Sequence, residues 1–103
     1  MSGLLSSDLS AAAHLRLKEL RDEIDAIDRE VARLLGVRSE LAAEIGKLKH
    51  TLGDAVYQPE REKAVIANVL AATHGLLPPE AMQRIYERII DETRRMERER
   101  SGD

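Results

Sequence analysis

Nine aliphatic residues recur at alternating steps of three and four: Leu17, Leu20, Ile24, Ile27, Val31, Leu34, Leu41, Ile45 and Leu48. That spacing predicts one long helix packing along a single apolar seam. The slot between Leu34 and Leu41 falls to Arg38. Any fold for this chain must cover the seam and account for a cation in the middle of it.

The helix is expected to start between Ser7 and Leu15, where Ser7, Asp8 and Ser10 each offer a cap, and to run to about His50. At about 1.5 Å per residue it is roughly 55 Å long. A compact chain of 103 residues has a radius of gyration near 13 Å, so such a helix overhangs a one-chain fold. A second copy of the chain is the economical cover for the seam.

The segment "TLGDAVYQP" reads as a linker, with Gly53-Asp54 as its turn. A second helix is expected from Pro59, with Val65, Ile66, Val69 and Leu70 as its apolar stripe and Gly75 as its C-terminal cap. A third opens at Pro79 and carries Met82, Ile85, Tyr86, Ile89 and Ile90. Beyond Thr93 the charges of "RRMERERSGD" predict fraying into solvent. The expected organisation is an all-α chain of one long and two shorter helices. Residues 1–14 form a flexible segment, 15–97 the helical domain and 98–103 a charged tail.

Composition supports helices. Phe, Trp and Cys are absent and only two Tyr occur, so the core must be aliphatic. Without cysteine there is neither a disulfide nor a thiolate metal site, which fits the cytoplasm. Net charge is −3 with both signs interspersed, and no basic patch stands out for nucleic acid. No run approaches the roughly 20 apolar residues of a membrane span, and the first fourteen residues lack the features of a secretory signal.

Each helix nevertheless places polar groups on its apolar face. Lys49 follows Arg38 at about 20° round the helix and roughly 16 Å along it. Glu62 precedes Ile66, Val69 and Thr73, with Arg61 beside it. In the third helix, the stripe of Tyr86 and Ile90 continues into Thr93 and Glu97. Taken singly, each has a plainer reading. A charge in a seam can set register, Lys49 and Arg61 near helix ends can reach solvent, and Glu62 suits a helix start. Together, an inward surplus of Arg and Lys points to a small anionic ligand inside a helical bundle. His14, His50 and His74 have no metal-binding spacing, and no Ser or Thr has an evident His partner. If the chain is an enzyme, it works by positioning and electrostatics.

The segments "LRDEIDAIDREVARLL", "VRSELAAEIGKLK", "VYQPEREKAVI" and "IYERIIDETRRME" resemble, in order, the all-helical class of chorismate mutases, from about Leu15 to Glu97. The resemblance implies an intertwined homodimer of three-helix chains. It also implies the intramolecular Claisen rearrangement of chorismate to prephenate, on the route to Phe and Tyr, a reaction that needs neither nucleophile, metal nor cofactor. Position by position, Arg21 matches an arginine that reaches across the dimer to a substrate carboxylate, and Arg38 one that binds carboxylate from within the chain. Lys49 matches the lysine on the ether oxygen. Glu62 matches the acceptor of the ring hydroxyl, and Arg61 is its neighbouring site arginine. Thr93 stands where a small hydroxyl residue is frequent. Glu97 matches a second donor to the ether oxygen, glutamine in some members and glutamate in others.

The spacing of Arg21 and Arg38 agrees with a shared site, since seventeen residues of straight helix separate them by about 25 Å on different faces. Three positions depart from the pattern. Gln58 stands where many members have an acid, and would act through its backbone amide. Arg94 replaces a residue often aliphatic near the pocket floor. Ser39 stands where a second arginine is common and is expected at the surface. Gly36 and Gly46 inside the helix suggest close helix approach. Two other readings stay open: an isochorismate-pyruvate lyase of the same fold, and a non-catalytic oligomerisation or regulatory module.

Overall fold

The computed structural model describes residues 2–101. Three helices follow one another: α1 (Ser2–Leu52), α2 (Pro59–Ala72) and α3 (Pro79–Arg100). The described residues contain no strand, so the chain is all-α, one long helix and two shorter ones.

Helix α1 starts earlier than expected. Ser7, Asp8 and Ser10 lie inside it rather than capping it, and residues 2–14 are helical. No proline interrupts this stretch, and Ala11, Ala12 and Ala13 are the best of helix formers. The C-terminal end is where the sequence put it. Gly53 adopts a left-handed φ of 74°, its N–H donates to the His50 carbonyl (3.2 Å), and the Asp54 N–H donates to that of Lys49 (2.8 Å). This paired closure satisfies two orphan carbonyls and relies on a residue without a Cβ. Lys49 and His50 in the last turn complement the helix dipole.

The chain divides between Val37 and Arg38 into two units. In the first, the apolar row of α1 faces outward. In the second, α2 and α3 pack on each other, and Ala42 and Ile90 are its buried apolar residues. Along the whole row from Leu17 to Leu48 each aliphatic is 41% to 62% exposed. Such a row is costly to leave in water, at about 25 cal/mol per Å².

Pro59 and Pro79 open α2 and α3 from their first turns, as expected. Gly75 does not cap α2, which ends at Ala72 with Thr73 as its cap. Gly75 instead turns the following loop at a φ of 84°. Helix α3 does not fray after Thr93 but continues to Arg100. Its opposite charges stand one turn apart, as in Arg95–Glu99 (3.2 Å) and Arg88–Glu92 (2.8 Å), which supports an exposed helix. One smaller expectation also gives way: Ser39 is partly buried. Gly46 does face a neighbour, the Glu97 side chain, 3.5 Å from where its Cβ would stand.

Candidate active site

In the second unit all three helices turn the same spacing inward. Arg38, Leu41, Ala42, Ile45 and Lys49 come from α1. Gln58 stands just before α2, and Arg61, Glu62 and Val65 come from its first two turns. Ile90, Thr93, Arg94 and Glu97 come from α3. Steps of three and four put each set on one helix face. With Val56 from the linker they enclose a cavity of about 410 Å³, a size suited to a small molecule.

Arg38 donates to the Thr93 hydroxyl at 2.8 Å, and that hydroxyl donates in turn to the Ile89 carbonyl (2.8 Å). Thr93 thereby orients the guanidinium without neutralising it. Neither Arg38 nor Arg61 forms an ion pair among the described residues. Lys49 donates to Glu97 Oε2 (3.2 Å) and to the Val56 carbonyl (3.4 Å). Its ammonium has three donors, so one remains for a ligand. The Glu97 side chain is 7% exposed and that of Lys49 16%, which makes this the most enclosed ion pair among the described residues.

Glu62 is held by Arg94. The guanidinium Nη2 reaches Oε1 at 2.6 Å and Oε2 at 2.7 Å, and Nε reaches Oε2 at 3.2 Å. Hydrogen bonding to Glu62 raises the Arg94 pKa above its ordinary value. Partial burial pulls it down, and the charges of Glu62 and Asp91 add to the rise. On its other flank the guanidinium carbon stands 4.7 Å from the centre of the Tyr57 ring, within cation–π range.

The cavity thus holds Arg38, Lys49, Arg61 and Arg94 against Glu62 and Glu97, a formal surplus of two positive charges. Both carboxylates are already engaged within the chain, so the surplus rests on the two unpaired arginines. Seven of the eight residues expected in the site line this cavity: Arg38, Lys49, Gln58, Arg61, Glu62, Thr93 and Glu97. Arg21 does not. It belongs to the first unit and is exposed. Sequence reasoning flagged Arg94 only as a departure and did not pair it with Glu62. The signal was available in its position four residues after Ile90. No group of His, Asp and Glu among the described residues is arranged to hold a metal ion.

The family described as chorismate mutase type II matches residues 20–98. The chain is 42% identical over 78 residues to the bifunctional chorismate mutase/prephenate dehydratase of Aquifex aeolicus, covering 72% of this chain and 22% of that protein. It therefore spans about a fifth of the length of that relative. A chorismate mutase of Methanocaldococcus jannaschii is 38% identical over 50 residues, covering 48% of this chain and 50% of its own. Among solved structures, the form II structure of chorismate mutase from Thermus thermophilus superposes with a TM-score of 0.77 at 35% identity. It covers 81% of this chain and 94% of that one. The chain belongs to the chorismate mutase type II family.

Proposed function

We propose that this protein converts chorismate to prephenate, acting in the cytoplasm on the route to aromatic amino acids. The observation that carries the reading is a pair of arginines lining the cavity, Arg38 half-buried inside and Arg61 exposed at the rim, left without an acid where both carboxylates are already engaged. Chorismate is a dianion, and two free guanidiniums match its charge. Its rearrangement is intramolecular, so it needs no nucleophile. The catalyst must hold the compact conformer and stabilise negative charge growing on the ether oxygen as the C–O bond breaks.

The residues divide that work. Arg38, steadied by Thr93, holds a substrate carboxylate with its forked donors. Lys49 gives its remaining N–H to the ether oxygen, and Glu97 beside it gives a second donor when protonated. Glu62 accepts from the ring hydroxyl. Gln58 acts through its backbone N–H. Arg61 adds positive charge at the rim. The reading also takes the protein as an intertwined homodimer, in which the partner's copy of Arg21 completes the site. The exposed aliphatic row from Leu17 to Leu48 supports this, because a second copy would cover it. Among the described residues no helix is long and apolar enough to cross a membrane.

Three measurements test this. Offered chorismate and isochorismate separately and followed by proton NMR, the protein should form prephenate from the first and leave the second intact. Salicylate with pyruvate would make it a lyase, and no product from either would make the cavity non-catalytic.

Arg21→Ala and Arg38→Ala proteins should each be inactive, yet regain activity when unfolded and refolded together. A quarter of the sites in a random mixture would then have both arginines intact, by combinatorial chance alone. No recovery, with mixed dimers demonstrated by mass spectrometry, would sink the shared site.

Glu97 gives the third test. A carboxylate beside the ether oxygen repels the developing charge, whereas a neutral donor stabilises it. Glu97→Gln places a permanent amide donor of nearly the same shape there and should keep turnover at or above the wild-type rate. Glu97→Ala should lose about a hundredfold, the scale of one lost transition-state donor. A Gln variant as slow as the Ala variant contradicts this role.

A further inference from the structure

The grip of Arg94 on Glu62 is the best-formed ionic contact lining the cavity, and the reaction as assigned above makes no use of Arg94. We propose that Arg94 is a positioning residue: it fixes the Glu62 carboxylate so that one oxygen stays aimed to accept the ring hydroxyl of the substrate, and Tyr57 in turn fixes Arg94. The proposal rests on the reading that the cavity takes chorismate.

Three observations carry it. The first is the geometry of the contact. Nη2 touches both carboxylate oxygens and Nε touches one of them, so the plane of the carboxylate is set as well as its distance. An ionised carboxyl offers about four acceptor sites, and Oε1 receives a single donor from Arg94. Oε1 therefore keeps a lone pair for a hydroxyl.

The second is charge. A lone carboxylate facing a dianion would repel it across a partly dry cavity, where screening is weak. Arg94 offsets that field and leaves the acceptor in place. The third is the support behind it. The Tyr57 ring packs 4.7 Å from the guanidinium carbon, and Asp91, one turn earlier on α3, lies 3.8 Å from Nη2. Arg94 is thus held from two directions besides Glu62, on a helix that also carries Thr93 and Glu97. Both members of the pair are about a quarter exposed, 24% for Arg94 and 26% for Glu62, so the contact contributes modestly to folding.

The test is a cycle of variants assayed for chorismate turnover: wild type, Arg94→Leu, Glu62→Ala and the double variant, with Arg94→Lys and Tyr57→Leu beside them. Arg94→Leu should lower kcat about tenfold, the worth of one charge-assisted hydrogen bond, with KM within about twofold. Added to Glu62→Ala, the same change should cost nothing further. Arg94→Lys should recover part of the loss, and Tyr57→Leu should show a smaller fall in the same constant. Should Arg94→Leu not fold, as judged by circular dichroism, Tyr57→Leu takes its place in the cycle, at a residue more than half exposed. An unchanged kcat in the variant used overturns the proposal. An equal loss with and without Glu62 also overturns it, since Arg94 would then meet substrate directly or serve the fold. A wild type that does not turn chorismate over removes the proposed function and this inference together. Wild-type turnover with an inert Arg94 removes the inference alone.

Discussion

A charge taken out of water has to find a partner, and in this protein that requirement organises the second unit. Lys49 on α1 meets Glu97 on α3 at 3.2 Å, with both side chains largely enclosed. Earlier on α1, Arg38 meets only the neutral Thr93 hydroxyl, which keeps its own bond to the Ile89 carbonyl without it. The ion pair joins the last third of α1 to α3 through polar groups, and among the described residues the buried apolar ones are Ala42 and Ile90. Removing one member of an enclosed ion pair typically costs about 3–5 kcal/mol, so neither Lys49 nor Glu97 can change without the other noticing. An interior built this way is poorly suited to tight aliphatic packing. It is well suited to surrounding a charged small molecule.

The arrangement of the remaining charges gives the cavity its direction. Glu62 and Glu97 are each engaged by a cation of their own, which leaves Arg38 and Arg61 facing a cavity of about 410 Å³ without an acid. Arg38 is half-buried and Arg61 is exposed at the cavity rim. A reaction that breaks and forms bonds within one dianion needs only what this site has: fixed positive charge, fixed donors and a shape.

Much of this was legible in the residues themselves. The alternating steps from Leu17 to Leu48 and the prolines at 59 and 79 are local signals, and α1, α2 and α3 follow them. Arg38, Lys49, Glu62 and Glu97 stood out because each interrupts an apolar face, and the fold brings all four to one cavity. What the spacing could not give was which partner each charge would find. Glu62 pairs with Arg94 thirty-two residues away, a choice made by how α2 lies on α3. Helix ends were misjudged where competing signals cancel. Ser7 and Ser10 are good caps only if the helix stops there, and the charged residues after Thr93 satisfy one another at helical spacing.

On the proposed reading, Arg38 occupies an aliphatic seam for the sake of a ligand and not for the fold. Replacing it by leucine makes the seam continuous and removes one cation from the cavity. Turnover of chorismate and the thermal midpoint, measured on the same preparation of Arg38→Leu, separate the two roles. Activity should fall by at least about a hundredfold, while the midpoint stays level or rises because an aliphatic replaces a half-buried charge. A protein that melts several degrees lower, or one that still forms prephenate at the wild-type rate, would contradict the claim.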